Sequence, residues 1–331
     1  MHVGTFAVAF WLFAQPAMAA TASDFADCGS HDLERQIAGC SHIIEEPLFP
    51  AETLARAHHI RGLAHERKGE FTEARADYDE AIRLGPEVAT VYFSRGKLYH
   101  ETSDYDRSIA DLDEAIRLDP KLTIAYDWRG LSYYYKGDND RAIADFDAAI
   151  RSDPSYASGY WNRGKAREVA HDLKGAVADY GEVIRLEPGA VRGYAGRAFA
   201  YLALGDADLA LADAEAMLRI APGNYGAFKV RGDVYKAKGA LDRAIADYDA
   251  AIRLNPAFAH AFHNRGVAYR MKGDRDHAVA DFREAIRLLP YASADSRSEL
   301  DALGAPAPPA PLPDSFKLPP AKNLLDSLKS K

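Results

Sequence analysis

Two charged residues keep strict register along most of this chain. Arginine stands at Arg61, Arg95, Arg129, Arg163, Arg197, Arg231 and Arg265, and each is followed sixteen residues later by an aspartate: Asp77, Asp111, Asp145, Asp179, Asp213, Asp247 and Asp281. A guanidinium and a carboxylate repeated in step imply a bidentate ion pair between two helices. A ladder of charged ligand contacts is the alternative reading. Such a pair adds specificity more than net stability, but losing one partner strands the other. A second arginine series, Arg83, Arg117, Arg151, Arg185, Arg219, Arg253 and Arg287, carries acids four residues earlier at Asp79, Asp113, Asp147, Glu215 and Asp249. These predict i,i+4 pairs on an exposed helix face, worth about 0.2–0.5 kcal/mol each. The remaining chemistry is sparse. His58, His59, His65 and His100 form the one local histidine cluster, and the helical spacing assigns His58 and His65 to packed faces, not to a metal. The sequence contains no nucleophile elbow, phosphate loop or zinc motif. No catalytic residue, cofactor or metal is expected.

The element that positions these charges is set by proline. Pro86, Pro120, Pro154, Pro188, Pro222, Pro256 and Pro290 recur every 34 residues without slippage. With proline numbered 32, the unit from Thr123 to Tyr156 shows apolar residues three and four apart in both halves, which is helical spacing. Gly137 suits a left-handed helix C-cap, Asp138 suits the N-terminus of the next helix, and Pro154 ends that second helix. The fold class is therefore all-α: seven helical hairpins, with the arginine at position 7 of the first helix and the aspartate at position 23 of the second.

The hairpins resemble the tetratricopeptide repeat family. Position 8 is small (Gly62, Gly96, Gly130, Gly164, Ala198, Gly232, Gly266), and Tyr99, Tyr133, Tyr201, Tyr235 and Tyr269 hold position 11. Alanine holds position 20 except at Ser108, and an aromatic holds position 24 except at Leu112 and Ala214. The match spans residues 55–292. The resemblance implies a right-handed α-solenoid whose first helices line a concave groove, with positions 2, 5, 9, 12 and 13 facing it. Those positions vary here while the staples stay constant, as a recognition scaffold requires. The candidate groove residues are Phe93, Lys97, Asp127, Tyr134, Trp161, Lys165, Arg192, Phe199, Lys229, Asp233 and Asn264. Phe93, Tyr134, Trp161 and Phe199, interleaved with Lys97, Lys165 and Arg192, are the candidate hot spot. Some family members clamp a C-terminal carboxylate with lysine at position 5, asparagine at position 9 and asparagine at position 6 of the next repeat. Lys229 and Asn264 match that clamp, but Asp233 stands where asparagine is required and would repel a carboxylate.

The ends differ from the repeats. Residues 1–19 contain an apolar run from Val3 to Ala14 and the triplet Ala17-Met18-Ala19, which predicts a secretory leader cleaved after Ala19. The leader has His2 but no Lys or Arg, and the run is too short for a membrane span. Asp27 before Cys28 argues against a lipoprotein signal. Residues 20–54 form an N-terminal cap. Arg35 to Glu45 aligns with the second helices of the repeats, and Cys40 takes the aromatic position. A Cys28–Cys40 disulfide would pin a leading strand over that helix, worth about 3 kcal/mol in the entropy account; two free thiols or a metal pair are the alternatives. Residues 293–303 add a short capping helix, and 304–331 form a proline-rich tail whose last turn, Asn323 to Lys329, is either frayed or a docking peptide.

A formal net charge of −8 is the wrong sign for a phosphate partner, so nucleic acid is not expected. The expected function is a periplasmic or secreted, non-enzymatic scaffold holding a protein or peptide partner, with no integral span after cleavage. The alternative is an envelope assembly part acting through its convex face or by self-association.

Overall fold

The structure, a computed structural model, describes residues 20–46, 48–290 and 294–308. The expected secretory leader and the docking peptide in the tail lie outside the described residues. All regular elements among the described residues are α-helices, and the chain divides between Asn162 and Arg163 into two compact units.

In the N-terminal unit α1 (Ala22–Cys28) packs on α2 (Leu33–Glu45), and α2 packs on α3 (Ala51–Lys68). Three hairpins follow: α3 with α4 (Phe71–Leu84), α5 (Ala89–Glu101) with α6 (Tyr105–Leu118), and α7 (Thr123–Tyr135) with α8 (Asn139–Ser152). The division falls inside α9 (Ala157–Val169). The C-terminal unit continues with α10 (Leu173–Leu186), then α11 (Val191–Leu204) with α12 (Ala207–Ile220), α13 (Tyr225–Ala237) with α14 (Leu241–Leu254), and α15 (Ala259–Met271) with α16 (Arg275–Leu288). A last helix, α17 (Ala294–Ala302), packs on α16. Within each unit every second helix packs on the next first helix, and successive first helices touch, as α3 does α5 and α11 does α13. The first helices therefore line a common face in each stack, an all-α solenoid arrangement.

Local chemistry sets the helix ends. Asp104, Asp138 and Asp172 cap second helices, each accepting from the backbone N–H three residues on. The first helices turn through position 15 with positive φ, at Gly69, Gly137, Gly205, Gly239 and Gly273, but also at Ser103 (φ 63°) and His171 (φ 61°). The second helices stop two residues before proline, as α8 does at Ser152 before Pro154.

In five of the seven hairpins the core is an aromatic ring laid on a glycine, and in the second Leu112 takes the ring's place on Gly96. A Cβ added to Gly130 would sit 2.7 Å from Phe146 Cε1, and one added to Gly232 would sit 2.7 Å from Tyr248 Cε1. Phe146 and Tyr248 are fully buried in this way, each contributing about 1.5–3 kcal/mol of apolar burial. The fifth hairpin exchanges the two sizes. Ala198 replaces glycine and Ala214 replaces the aromatic, both fully buried in one cluster with Met217 and Val234. The two departures in this hairpin are thus one compensated change in packing.

The leading segment of the cap is a helix, not a strand. Thr21 and Asp24 form a reciprocal capping box that starts α1. Cys28, at its end, is bonded to Cys40 of α2 with Cα atoms 4.6 Å apart.

Candidate functional site

The repeated arginine and aspartate meet in every hairpin. Arg95 Nε and Nη2 donate to the two oxygens of Asp111 at 2.7 Å each, and Arg129 binds Asp145 at 2.8 and 2.6 Å. The same fork joins Arg61 to Asp77, Arg163 to Asp179, Arg197 to Asp213, Arg231 to Asp247 and Arg265 to Asp281. Every one of these aspartates is at most 7% exposed. Burial works against the Arg95 charge, yet Asp111 and Asp79 outweigh it and hold the guanidinium above its ordinary pKa.

The third guanidinium nitrogen reaches outside the hairpin. Arg95 Nη1 donates to Asp79, Arg129 Nη1 to Asp113, and Arg265 Nη1 to Asp249, each an acid of the preceding second helix. The expected i,i+4 pairs of the second arginine series are therefore not formed there. Arg83 and Arg117 turn instead to Glu80 and Glu114 three residues earlier, as Arg185 and Arg287 do to Glu182 and Glu284. Position 25 is withdrawn from its own helix because a half-buried guanidinium in the next hairpin competes for it. The cap copies the pattern: Arg61 Nη1 donates to Ser41 on α2 at 2.9 Å, and Lys68 pairs with Glu34. These match the repeat bridges of Lys136 to Asp106, Lys238 to Asp208 and Lys272 to Asp242.

His58 and His65 behave as packed residues. His58 Nδ1 is 2.8 Å from Asp77 and His65 Nδ1 is 2.6 Å from Glu70. Among the described residues no group of three or more His, Cys, Asp or Glu has metal-binding geometry, and no helix is long and apolar enough to cross a membrane.

On the first-helix face of the N-terminal unit the candidate residues prove largely engaged. Lys97 Nζ lies 2.5 Å from Glu66 and 2.9 Å from Glu101, and 5.6 Å from the centre of the Trp128 ring. Phe93 is half-buried and packs on the Leu112–Ala115–Ala125 cluster. Tyr134 and Trp161 are half-buried as well. Asp127 is 4% exposed, not groove-facing surface. It accepts from Tyr156 Oη at 2.9 Å and Asn162 Nδ2 at 2.8 Å, and burial raises its carboxyl pKa. An aromatic cluster went unread in the sequence: His100 lies 5.2 Å from Trp128 and 5.4 Å from both Tyr105 and Tyr135, and Tyr135 is 60% exposed. The run Tyr133-Tyr134-Tyr135 was its signal.

On the first-helix face of the C-terminal unit Lys165 and Phe199 are exposed, and Arg192 pairs with Glu187 at 2.8 Å. Asp233 lies at the centre of a polar knot. Its Oδ1 accepts from Tyr248 Oη at 2.7 Å and Asn264 Nδ2 at 2.8 Å, and its Oδ2 is 2.8 Å from Lys229 Nζ. Lys229 Nζ in turn lies 5.0 Å from the Phe199 ring centre. Lys236, one turn further on, was not singled out from the sequence, although its position 12 faces the same side as positions 5 and 9. It is half-buried, 3.9 Å from Asp233 Oδ1, and burial lowers its pKa.

Comparison with known proteins agrees with this geometry. Family models described as TPR repeat and tetratricopeptide repeat match residues 61–122, 130–168, 232–273 and 259–292. No curated protein sequence matches the chain. Among solved structures, a tetratricopeptide repeat protein from Parabacteroides merdae is similar at 17% identity, with a TM-score of 0.64 over 76% of this chain and 98% of its own. Pseudomonas aeruginosa pilF is similar at 18% identity and TM-score 0.52, covering 65% of this chain and 96% of its own. Yeast Tom70 is similar at 16% identity and TM-score 0.52, covering 90% and 66%. At these identities the likeness speaks to the fold. Staples, glycine-on-aromatic cores and matched repeats agree, and the chain belongs to the tetratricopeptide repeat family.

Proposed function

We propose that this protein is an exported, non-enzymatic scaffold that binds segments of partner proteins on its first-helix faces. The observation that carries this reading is the contrast between invariant and variable positions. The arginine–aspartate staples repeat in all seven hairpins, whereas position 9 changes from Leu63 and Lys97 to Lys165, Phe199, Asp233 and Val267. A surface that served only to stack hairpins would repeat as the staples do. Export is supported by the apolar leader and by the Cys28–Cys40 bond, which suits an oxidising compartment. An open face also suits an extended segment better than a small transition state, which needs enclosure.

A photocrosslinking residue placed at Phe199 or Lys165, and in separate variants at the exposed second-helix residues Arg219 and Arg253, tests the reading in cells of the source organism. Discrete adducts from the first-helix sites and none from the second-helix sites are expected. Adducts confined to Arg219 and Arg253 would reject it.

A second reading, assembly through another surface, has one observation in its favour. Leu204 and Leu209 are exposed at the turn edge of the fifth hairpin, where Lys68, Lys136, Lys238 and Lys272 make ion pairs in other hairpins. Self-association of the protein that is lost in Leu204→Lys/Leu209→Arg would favour it.

A further inference from the structure

The polar knot around Asp233 changes what the C-terminal unit can recognise. Lys229, Asn264 and Tyr248 together form a seat for one carboxylate, and Asp233 already fills it, with hydrogen bonds to both oxygens. A second carboxylate brought to the same donors would find them already spent on Asp233 and would meet that side chain's own negative charge. A chain-terminal carboxylate has no place there.

Beside the filled seat, the charge balance is positive. On positions 2, 5, 9 and 12 of the first helices in this unit stand Lys165, Arg192, Lys229, Lys236 and Arg270, against two acids, Glu168 and Asp233. Both acids are committed, Glu168 to Tyr180 Oη at 2.9 Å and Asp233 to its knot. Arg270 is held by Glu299 and Arg192 by Glu187, each at 2.8 Å, which leaves Lys165 and Lys236 as the cations the balance rests on. Among the described residues the nearest carboxylate to Lys236 is at 3.9 Å, beyond hydrogen-bonding distance, so its ammonium keeps donors to offer. Lys229 bridges this point to Phe199, which is 38% exposed. A cation with unspent donors and an exposed aromatic ring thus flank one neutralised knot, in a chain whose net charge is −8.

We propose that the first-helix face of the C-terminal unit takes an extended, acidic segment from inside a partner protein, with a side-chain carboxylate on Lys236 and an apolar side chain on Phe199, and that it does not read a chain end. This deepens the binding function proposed above and rests on it. The lowered pKa of Lys236 is consistent, because an incoming carboxylate supplies the counter-charge that burial leaves wanting.

Fluorescence anisotropy with the full chain tests it. The probes are a labelled twelve-residue peptide of alternating Leu and Asp or Glu with an amidated C-terminus, its Asn/Gln isostere, and the same acidic peptide with a free C-terminus. The acidic amide is expected to bind at least about tenfold more tightly than the isostere, a difference of about 1.4 kcal/mol. The free C-terminus should change affinity by less than about twofold, since Asp233 repels it. Lys236→Met should weaken the acidic peptide about tenfold and leave the isostere unchanged, Lys236→Arg should restore it, and Phe199→Ala should weaken both. Thermal melts of each variant confirm folding. Equal binding of isostere and acidic peptide would overturn the charge assignment while leaving peptide binding intact. Binding only with a free C-terminus would overturn it in favour of chain-end reading, and displacement by single-stranded oligonucleotide at equal concentration would move it to phosphate. If none of the peptides binds, the inference falls, and the crosslinking experiment decides separately whether the face binds protein.

Discussion

Arg129 donates through Nη1 to Asp113, an acid of the preceding hairpin, while Nε and Nη2 hold Asp145 of its own. One guanidinium therefore closes a hairpin and fastens it to its neighbour. The two contacts differ in environment: the Asp145 side chain is 8% exposed and that of Asp113 is 53% exposed.

That difference predicts unequal losses. Arg129→Ala leaves Asp145 buried without a partner and should cost about 3–5 kcal/mol. Asp113→Ala removes a contact that is mostly in water and should cost under about 1 kcal/mol. Because hairpins couple mainly to neighbours, hydrogen exchange in Arg129→Ala should rise in α5 to α8 and change little in α15 and α16. An Arg129→Ala protein that melts with wild type would show that the fork carries no structural weight.

The fifth hairpin lacks the outer contact. Gly181 stands where Asp79, Asp113 and Asp249 stand in other hairpins, and a Cβ built there would lie 3.8 Å from Arg197 Nη1. Among the described residues Arg197 has Asp213 as its one ion-pair partner. Gly181→Ala should stabilise by about 0.5–1 kcal/mol through helix propensity. Gly181→Asp gives up part of that propensity gain and adds an ion pair of up to about 1 kcal/mol. Only Gly181→Asp should lose part of its gain when Arg197 is changed to Lys, which chemical denaturation of the double-mutant cycle measures. No coupling in the cycle would refute the vacancy.

The repeat made much of this legible in advance, because seven copies separate what stacking requires from what it leaves free. The arginine–aspartate fork was readable as its spacing never changes. The destination of Asp79 was not. Arg83 in its own helix and Arg95 in the next hairpin both lie within reach, and only the packed structure shows that Arg95 takes it and Glu80 takes Arg83. Exposure was likewise hidden. Phe93 and Phe199 occupy equivalent faces, yet Phe93 is drawn onto Leu112, Ala115 and Ala125, whereas Phe199 stays open. That outcome depends on side chains contributed by neighbouring helices. Lys236 was overlooked for a simpler reason: its importance comes from Asp233 having been claimed by Tyr248 and Asn264, neither adjacent in sequence.

Position 15 gives a backbone prediction. Ser103 and His171 adopt positive φ where Gly69, Gly137 and Gly205 do so freely. A left-handed conformation costs a residue with a Cβ about 1–2 kcal/mol, part of which is offset by the greater freedom of glycine in the unfolded chain. Ser103→Gly and His171→Gly should each stabilise by about 0.5–1 kcal/mol, and Gly205→Ala should destabilise by about 1–2 kcal/mol. Denaturant midpoints with unchanged slopes are the readout; a fall in midpoint for Ser103→Gly contradicts the strain.

Acidification should loosen the C-terminal cap. His263 on α15 reaches α17, with Nδ1 2.8 Å from Ser296 Oγ, and its ring lies 5.6 Å from that of Phe282. Burial lowers its pKa; Asp295 and Glu299 pull it upward, while Lys236 and His260 push it further down. The neutral ring is thus favoured in the folded state, whereas the unfolded ring titrates near 6.5. For a base with a depressed folded pKa, the unfolded chain binds more protons below about pH 6.5, so stability is full above that pH and declines as pH falls beneath it. The protonated ring must either lose its burial or expel α17. Hydrogen exchange of α17 should therefore quicken between pH 7 and pH 5, relative to the intrinsic rate, before that of α13 and α14. His263→Gln, which keeps a polar contact for Ser296 without a titrating proton, should flatten that dependence. His100 has the same sign, since burial also lowers its pKa, and its replacement should flatten the response around α5 and leave α17 alone. Equal pH dependence of α17 exchange in wild type and His263→Gln would assign the effect to another group.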